Sequence, residues 1–404
     1  MKIIILDDDP TGIQTVHGCK LITKWDAKTV KTALSDECGF FYMLTNTRAL
    51  TADEATLQTR SAMEAVLNVI AEDRSIYIDE GLVFISRSDS CLRGHFPLET
   101  DVMRQVLEEN DIKAWDKTPF VPAFIEAGRV TINGIHYMKE GDRLVPVSET
   151  EFARDNVFHY STSVLTDYIR EKGANPADYV IVNAQSYDEL HAFCNCLNDI
   201  VNLSHDAIIV RSSSSFPKTM ARVEDRDLLS REELIKPSAS HQGVIIVGSH
   251  VKKTTRQLNN LLAQDGVTGI ELSVEKILTA TDEYLNNIIG ELASLGNTTP
   301  VLFTSREEVR IDDVEARQHL GQRISDFLVE IVRRLPFIPS YLIAKGGITS
   351  HDILTKGLNV SIATVMGQLV PNVPCVMTDR FPYIIFPGNV GNDDSLAEAY
   401  CKLR

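Results

Sequence analysis

The feature that most constrains this chain is a regular alternation of short apolar runs with longer amphipathic segments. The apolar runs are four or five residues long, as in strands of a parallel sheet that is covered on both faces. We predict strands over Lys2–Leu6, Phe40–Leu44, Leu82–Ser86, Tyr179–Val182, Ala207–Val210, Gly243–Val247, Val301–Thr304 and Tyr341–Ala344. Helical patterns lie between them, including Ala52–Ala71, Val314–Leu335 and Leu396–Leu403. This order predicts an α/β fold with mainly parallel sheets.

Two segments interrupt the alternation. Residues 129–138 alternate apolar and polar side chains around Asn133-Gly134, a preferred sequence for the two-residue turn of an antiparallel hairpin. Residues 220–242 are charged and polar, and the part from Lys236 to Gln242 has the composition of a linker. We therefore predict two α/β domains, residues 1–235 and 241–404, with a cleft between them.

Charge and cysteine usage narrow the class of protein. A formal charge of −16 disfavours nucleic acid as a partner. The sequence contains no run of 18 apolar residues, so it does not predict a membrane span. The seven cysteines are scattered without a CxxC pair, which favours reduced thiols over disulfides or a zinc site. The sequence therefore predicts a cytoplasmic protein that acts on small molecules.

Polar residues follow three predicted strands in the first half of the chain. Residues 7–12 (DDDPTG) follow the first strand, residues 45–48 (TNTR) the second and residues 87–90 (RSDS) the third. In an open parallel sheet, ligands bind beyond these carboxyl ends. Arginine can hold a carboxylate through two hydrogen bonds, and aspartate accepts hydrogen bonds from hydroxyl groups. The combination favours a small polyhydroxy acid as ligand.

Glycine-rich turns follow strands of the second half instead. Residues 248–250 (GSH), 346–350 (GGITS) and 388–391 (GNVG) each lie between an apolar run and a helical pattern. Glycine lets the backbone approach a phosphate closely, and helix N-terminal N–H groups bind anions. Neither a GxxxxGK[ST] nor a GxGxxG motif is present, so a nucleotide site here is of another type. Thr349-x-x-Asp352 has the spacing of a helix capping box.

Taken together, these segments resemble the four-carbon acid sugar kinase family. The matching segments are LDDDPTGIQTVHG (6–18), YMLTNTRAL (42–50), SRSDSCLRGHFP (86–97), GRVTINGIHY (128–137), VGSHVKKTTRQL (247–258), AKGGITSHDI (344–353) and FPGNVGNDDSL (386–396). They follow the family's order over nearly the whole chain. The resemblance implies ATP-dependent phosphorylation of the terminal hydroxyl of a four-carbon sugar acid, such as threonate, erythronate or 3-oxo-tetronate. It also implies that the first domain binds the acid and the second binds ATP with Mg²⁺.

The resemblance assigns residues to these roles. The aspartate of the family's DDxTG motif falls on Asp8 or Asp9. For phosphoryl transfer this aspartate either orients or deprotonates the hydroxyl or only binds the substrate. The substrate positions fall on Asp8, Arg48, Arg87, Ser88, Asp89 and Ser90. The nucleotide contacts fall on Ser249, Gly346, Gly347, Ile348, Thr349 and Gly388. Many members carry lysine where this chain has Arg87. The particular sugar acid, the formation of homo-oligomers and any metal ligands stay open at this stage.

Two other function classes fit parts of the sequence. Asp7-x-Asp9-x-Thr11 after a strand matches the signature of haloacid-dehalogenase-type phosphatases, with Asp7 as nucleophile and Asp9 as acid/base. Asp393-Asp394 could imitate the acidic metal-binding pair of that class. The second alternative is a two-lobed sugar-acid sensor without catalysis. Release of ADP, release of phosphate from a sugar phosphate, or binding alone distinguishes the three classes.

Overall fold

The computed structural model of the protein describes residues 1–72, 81–204, 206–236, 242–305 and 314–404, with only the backbone described for 314–318. It divides into two compact units, Met1–Asp225 and Arg226–Arg404. The predicted linker lies outside the described residues over 237–241. The domain boundary at 235–241 therefore stays a prediction.

The first unit contains ten described strands. They are β1 (Lys2–Asp7), β2 (Lys20–Ile22), β3 (Phe40–Leu44), β4 (Leu82–Arg87), β5 (Thr118–Val121), β6 (Arg129–Ile132), β7 (Ile135–Glu140), β8 (Arg143–Pro146), β9 (Tyr179–Ile181) and β10 (Ile208–Ser212). Seven of them pair in the order β2-β3-β1-β4-β10-β5-β9, and every described pairing in this array is parallel. Because the chain builds outward from β1 in both directions, the strand order reverses beside β1, which is where open α/β sheets bind ligands.

Helices cover this sheet. They are α1 (Ala27–Leu34), α2 (Ala52–Glu72), α3 (Leu98–Glu109), α4 (Leu165–Glu171), α5 (Tyr187–Ser204) and α6 (Ser215–Met220). Polar side chains define where they begin. The Asp26 carboxylate accepts the Thr29 N–H at the start of α1 (3.1 Å). Glu54 accepts the N–H of Thr51 before α2 (2.9 Å), so the chain turns into this helix directly after the loop that follows β3.

Strands β6, β7 and β8 form a separate antiparallel sheet. Asn133 and Gly134 connect β6 to β7 with φ angles of 50° and 76°, as the predicted two-residue turn requires. The predicted hairpin is therefore confirmed. Residues that follow this hairpin pack against the main sheet through a buried aromatic cluster, which includes Tyr160, Tyr168, Phe96 and Phe120.

The second unit repeats the α/β plan. Its strands are β11 (Val244–Val247), β12 (Val267–Leu272), β13 (Thr299–Thr304), β14 (Leu342–Lys345), β15 (Ile362–Val370), β16 (Val373–Met377) and β17 (Pro382–Phe386). Its helices are α7 (Arg231–Leu234), α8 (Lys252–Leu262), α9 (Val274–Thr279), α10 (Thr281–Ser294), α11 (Val314–Arg333), α12 (Gly347–Asp352) and α13 (Ser395–Leu403).

The strands of the second unit pair in the order β12-β13-β11-β14-β17-β16-β15. The pairings from β12 to β17 are parallel, and β16 runs antiparallel to both neighbours. Side chains of β11, β14 and β17 form a buried core with α8 and α13. The predicted α/β class with mainly parallel sheets is confirmed. Over the described ranges, no helix has both the length and the apolarity to cross a membrane.

Candidate functional site

The polar strand ends of the first unit meet at one edge of its sheet. Strand β1 lies between β3 and β4, and β4 pairs with β10. All of these strands run in the same direction, so the segments after them leave the sheet at the same edge. The Thr45 N–H donates to the Asp7 carbonyl (3.0 Å), and the Asp8 N–H donates to the Arg87 carbonyl (3.2 Å). The structure therefore brings the three predicted substrate segments together.

Arg48 is the centre of this cluster. Its Nε donates to Asp8 Oδ2 (3.1 Å) and its Nη1 to Asp9 Oδ2 (3.4 Å), while Nη1 lies 3.8 Å from Asp89 Oδ1. One guanidinium thus contacts carboxylates after both β1 and β4. The Arg48 side chain is 17% exposed and that of Asp8 is 1% exposed. Arg48 is therefore partly accessible to solvent, whereas Asp8 is not.

Asp9 is the more accessible of the two predicted catalytic aspartates, with 21% of its side chain exposed. Its Oδ1 accepts hydrogen bonds from the Thr11 N–H (2.8 Å) and from the Thr11 hydroxyl. Burial alone would raise the pKa of Asp9, but the Arg48 guanidinium and the Thr11 hydrogen bonds lower it. Asp9 is therefore an ionised carboxylate at neutral pH. Asp8, by contrast, accepts both from Arg48 and from the Ser88 hydroxyl (2.6 Å).

Arg87 lies deeper than Arg48 and has different hydrogen-bond partners, although its Nη1 also lies 3.7 Å from Asp8 Oδ1. Its Nη1 donates to Asp7 Oδ1 (3.1 Å) and its Nη2 to Ser214 Oγ (2.8 Å). Asp7 Oδ2 and Arg87 Nε have no hydrogen-bond partner among the described residues. Burial raises the pKa of Asp7 to about 8. The two arginines of the predicted site therefore differ in accessibility, because the side chain of Arg48 is 17% exposed and that of Arg87 is 5% exposed.

The backbone of Gly12 packs directly against the Asp7 carboxylate. A Cβ at position 12 would lie 2.1 Å from Asp7 Oδ2, so only glycine fits there. Asp7 is fully buried under this turn. A nucleophilic aspartate must be reached by its substrate, and the burial of Asp7 therefore disfavours the phosphatase alternative.

The segment after β4 is organised around Asp89. Arg93 donates to both Asp89 carboxylate oxygens, from Nε (2.9 Å) and Nη2 (3.1 Å), and the Cys91 N–H donates to Oδ2 (3.1 Å). Although burial opposes ionisation, Arg48 and Arg93 hold the pKa of Asp89 well below its usual value. The contact found for Ser90 in this segment is made by its backbone: the carbonyl oxygen lies 2.8 Å from His136 Nε2.

A further buried ion pair, absent from the sequence-based prediction, supports this segment. Arg211 of β10 pairs with Glu99 of α3 and also donates to Ser86 Oγ (2.7 Å) and Ser88 Oγ (2.8 Å). Thr47, from the loop after β3, donates to the other oxygen of Glu99 (2.5 Å). A signal was present in the sequence: the run RSSSS at 211–215 follows the predicted strand Ala207–Val210 as a fourth polar strand end.

The glycine-rich turns of the second unit also meet at one edge of their sheet. The Gly248 N–H donates to the Lys345 carbonyl (3.2 Å), and the Gly346 N–H donates to the Phe386 carbonyl (2.9 Å). The Thr254 hydroxyl lies 3.1 Å both from Ser249 Oγ and from the Gly388 carbonyl oxygen. The ends of β11, β14 and β17 are thereby joined, and they carry the predicted nucleotide-contacting residues.

Three glycines of these turns lie close to neighbouring side chains or have a φ that favours glycine. A Cβ at 248 would lie 2.0 Å from Thr349 Oγ1, and one at 388 would lie 3.2 Å from Ser249 Oγ. Gly346 has a φ of 119°, which L side chains rarely adopt. Gly248 and Gly388 are partly exposed whereas Gly346 is buried, so the first two positions leave the backbone open to close approach by a phosphate.

Helix α12 starts earlier than the sequence analysis expected. It begins at Gly347, so Gly347, Ile348 and Thr349 form its first turn. Thr349 is therefore inside the helix and the predicted capping box is wrong. The carboxylate of Asp352 instead accepts from Lys356 Nζ (2.9 Å) and from the Ser325 hydroxyl.

Lys345 is a buried cation that the sequence analysis did not select. Its side chain is fully buried, its Nζ donates to the Pro387 carbonyl (3.0 Å), and it lies 4.1 Å from the centre of the Phe386 ring. Burial lowers the pKa of Lys345 to about 7, and the nearby Lys253 acts in the same direction. Because Lys345 ends an apolar strand, the pattern gave no sign of this position.

Acidic groups of the second unit are engaged within the chain. Asp393 accepts from Arg256 Nε (2.8 Å), and Asp394 accepts from Asn260 Nδ2 (2.7 Å). Across the ranges that the structure describes, no group of three or more His, Cys, Asp or Glu side chains is placed to hold a metal ion.

Two family models match the chain, one over each unit. The model described as "Sugar-binding N-terminal domain" matches residues 3–180, and that described as "Nucleotide-binding C-terminal domain" matches residues 244–396. No significant match was found among curated proteins.

Solved structures share the fold over the whole chain. A DUF1537-family protein from Haemophilus influenzae aligns with a TM-score of 0.67 and 17% identity, covering 100% of both chains. A Salmonella typhimurium LT2 protein, provisionally named a tRNA synthase, aligns with a TM-score of 0.70 and 18% identity, covering 99% of this chain and 98% of its own.

The two matched models and these neighbours place the chain in a defined class: proteins with an N-terminal sugar-binding domain and a C-terminal nucleotide-binding domain. The chain belongs to the four-carbon acid sugar kinase family, as its sequence motifs indicated. The candidate clusters lie within or beside the corresponding matched regions, the carboxylate–arginine cluster in the first and the glycine turns in the second.

Proposed function

We propose that this protein is a sugar-acid kinase that transfers the γ-phosphoryl group of ATP to the terminal hydroxyl of a four-carbon acid sugar. The acid is of the threonate, erythronate or 3-oxo-tetronate type. The observation that carries the proposal is the partly exposed Arg48 side chain, whose guanidinium contacts Asp8, Asp9 and Asp89 at the carboxyl edge of the first unit's sheet. A cation among carboxylates matches a ligand with one acidic group and several hydroxyls.

In this proposal Arg48 binds the substrate carboxylate, with Arg87 supporting the site through Asp7 and Asp8. Ser88, Asp89 and Ser90 bind hydroxyl groups of the acid. Phosphoryl transfer passes through a loose transition state in which strong base catalysis is not required. An ionised carboxylate of low pKa suits that reaction. We therefore assign Asp9 to orient the attacking hydroxyl and to accept its proton, with Asp8 holding Arg48 in place.

The nucleotide, as its Mg²⁺ complex, is the second substrate. We propose that Ser249, Gly346, Gly347, Ile348, Thr349 and Gly388 bind it. The positions of Gly248, Gly346 and Gly388 support this, since a Cβ at each would meet a neighbour or a strained φ. Mg²⁺ would bridge the phosphates and neutralise developing charge. We further propose cytoplasmic location, with the domain division at 235–241.

The direct test is a screen of four-carbon sugar acids with ATP and coupled detection of ADP. We expect ADP release with at least one acid and little with the neutral polyol of the same length. Loss of a charge-assisted contact typically costs ~1.5–3 kcal/mol, or roughly ten- to a hundredfold in affinity. Arg48→Ala should therefore raise KM for the acid by that factor and leave KM for ATP nearly unchanged.

A matched control is Arg170→Ala, which removes an arginine paired with Asp167 on the surface of the same unit. This variant should keep both KM values. Phosphate release from a sugar phosphate without ATP would favour the phosphatase class, and binding without turnover would favour the sensor. An Arg48→Ala enzyme with the parent KM for every acid would contradict the assigned site.

A further inference from the structure

Three consecutive carbonyls of the loop after β4 each face a buried side-chain donor. His136 Nε2 lies 2.8 Å from the Ser90 carbonyl oxygen, the Tyr160 hydroxyl donates to that of Cys91 (2.8 Å), and the Tyr168 hydroxyl to that of Leu92 (2.7 Å). The Tyr160 hydroxyl also lies 3.3 Å from the Val147 carbonyl oxygen, a longer contact. All three donor side chains are buried.

The donors come from outside the parallel sheet. His136 belongs to β7 of the antiparallel hairpin, Tyr160 follows β8, and Tyr168 lies on α4. The ring contacts of Tyr168 with Phe96 and with Tyr160 (5.7 Å between centroids in both cases) fix the two tyrosines against each other and against the loop. The segment 129–171 thus acts on the candidate site without contributing any of its predicted substrate residues.

The tautomer of His136 follows from its contacts. A carbonyl oxygen can only accept, so Nε2 must carry a hydrogen. Nδ1 then accepts from the Thr131 hydroxyl, which lies 2.9 Å away. Burial lowers the pKa of His136 to about 4, so the ring is neutral at neutral pH. Both ring nitrogens are therefore used, and the imidazole has one fixed orientation.

The direction of these carbonyls determines the direction of the neighbouring amides. In a trans peptide the C=O of one residue and the N–H of the next point to opposite sides. The N–H groups that follow the held carbonyls of Ser90 and Leu92 accordingly donate to Asp89 Oδ2, from Cys91 (3.1 Å) and Arg93 (3.4 Å). The hydrogen bonds from His136, Tyr160 and Tyr168 to this loop therefore determine where the Asp89 carboxylate lies relative to Arg48.

We propose that His136, Tyr160 and Tyr168 are positioning residues for the acid site, which hold the loop after β4 so that Asp89 and Ser88 face the sugar acid. The proposal rests on the proposed kinase function only for the identity of the ligand. In this proposal the side chains of these three residues bind the loop rather than the ligand. They act through the backbone of Ser90, Cys91 and Leu92.

The first experiment compares Tyr160→Phe/Tyr168→Phe with Tyr42→Phe. The hydroxyl of Tyr42 in β3 is buried and has no hydrogen-bond partner among the described residues, so its removal is a matched control. With threonate and erythronate as probes, we expect the double variant to raise KM for the acid about tenfold or more, the loss of affinity that accompanies ~1.4 kcal/mol. KM for ATP should change by less than about twofold, which is within ~0.4 kcal/mol. The Tyr42→Phe enzyme should match the parent.

His136 offers a rescue pair. The Gln side-chain amide can donate to the Ser90 carbonyl as Nε2 does, whereas Leu cannot. His136→Gln should retain a lower KM for the acid than His136→Leu. The proposal would be overturned if KM for the acid and KM for ATP changed equally in the double variant, or if KM for the acid stayed at the parent value. Equal KM values for the acid in His136→Gln and His136→Leu would also contradict it.

Amide hydrogen exchange separates this proposal from the proposed function. In the double variant, exchange should accelerate in peptides that cover residues 88–97 and stay unchanged in β1 and β3. If the parent turned over no sugar acid, the kinase assignment would fail, yet faster exchange confined to this loop would still support the positioning role. Unchanged exchange in the loop would overturn it.

Discussion

The two units place their candidate sites at the same edge of a parallel sheet, but they fill that edge with different chemistry. In the first unit the edge holds ionised side chains that neutralise one another, such as Arg48 with Asp8 and Arg211 with Glu99. In the second unit the edge consists of glycine turns whose backbone groups bond to neighbouring strand ends, around one buried amine, Lys345. Buried charges need partners of opposite charge, whereas these turns need residues small enough to leave room for the backbone. The first site should therefore be sensitive to loss of charge, and the second to added volume.

The largest expected effect is on the buried ion pair of the first unit. Arg211→Ala leaves the Glu99 carboxylate buried without its cation. Breaking one side of such a pair typically lowers the free energy of unfolding by ~3–5 kcal/mol. Arg170→Ala removes a pair whose side chains are 62% and 54% exposed, and this should cost at most ~1 kcal/mol. Urea unfolding of both variants measures the difference.

A double variant sharpens this result. Arg211→Met/Glu99→Leu removes both charges, and such replacements of a buried pair are often neutral or stabilising. The double variant should therefore be more stable than Arg211→Ala. Equal instability of the two would show that volume rather than charge controls this edge, and the contrast between the units would be lost.

The second effect concerns a glycine turn. Gly346→Ala forces an L side chain to a φ of 119° and places its Cβ 3.3 Å from that of Ser249. Backbone strain of this kind costs on the order of 1–3 kcal/mol. We expect reduced stability of the second unit and weaker ATP binding, with binding of the acid unchanged. Calorimetry with each ligand measures the two affinities separately.

Gly290→Ala is the control for that substitution. Gly290 lies inside α10, and a Cβ there would contact nothing within 4 Å. Alanine in a helix interior is favoured over glycine by ~1 kcal/mol, so this variant should be at least as stable as the parent. If Gly290→Ala also lost ATP binding, the loss in Gly346→Ala could not be attributed to the turn at Gly346.

Most strands that read as uninterrupted apolar runs were predicted from the sequence, although the fully buried β17 was not. The prediction also missed strands whose pattern is broken, such as β5, which contains Pro119, and β15, which contains Gly367 and alternates buried with half-buried residues. Strand β5 is only four residues long, and β15 runs antiparallel to β16. Neither therefore shows the long continuous apolar run that is typical of a buried parallel strand.

The same limit applies to the sites. Carboxyl ends of parallel strands must share an edge, so the meeting of the Asp8, Arg48 and Asp89 loops was predictable from strand order alone. Which arginine stays exposed depends on packing that no local pattern encodes, as the covered pair of Arg87 with Asp7 illustrates. The burial of Lys345 could not be predicted from the sequence either. A lysine at the end of an apolar strand is expected to reach solvent, but this side chain is fully buried.

The last prediction is a pair of opposite pH dependences, which give the smallest change for each step of the measurement, at most ~1.4 kcal/mol per pH unit. Asp7 has a usual pKa of 3.8 and a folded pKa of about 8, so its folded form binds a proton that its unfolded form releases. Its contribution to stability is present below about pH 4 and is lost as the pH rises through about 8. Lys345 falls from 10.5 to about 7 on folding, so stability rises with pH between those two values.

Each group can change the free energy of unfolding by at most ~1.4 kcal/mol per pH unit. Asp7→Asn should remove the decline between pH 4 and 8 and leave the rise above pH 7 in place. Lys345→Met should remove that rise and leave the decline. Each variant thus serves as the control for the other, and urea midpoints measured from pH 5 to 10 give both slopes. If Lys345→Met kept the alkaline rise, the buried amine would be charged throughout. The second edge would then hold a permanent cation and differ from the first only in the number of its charges.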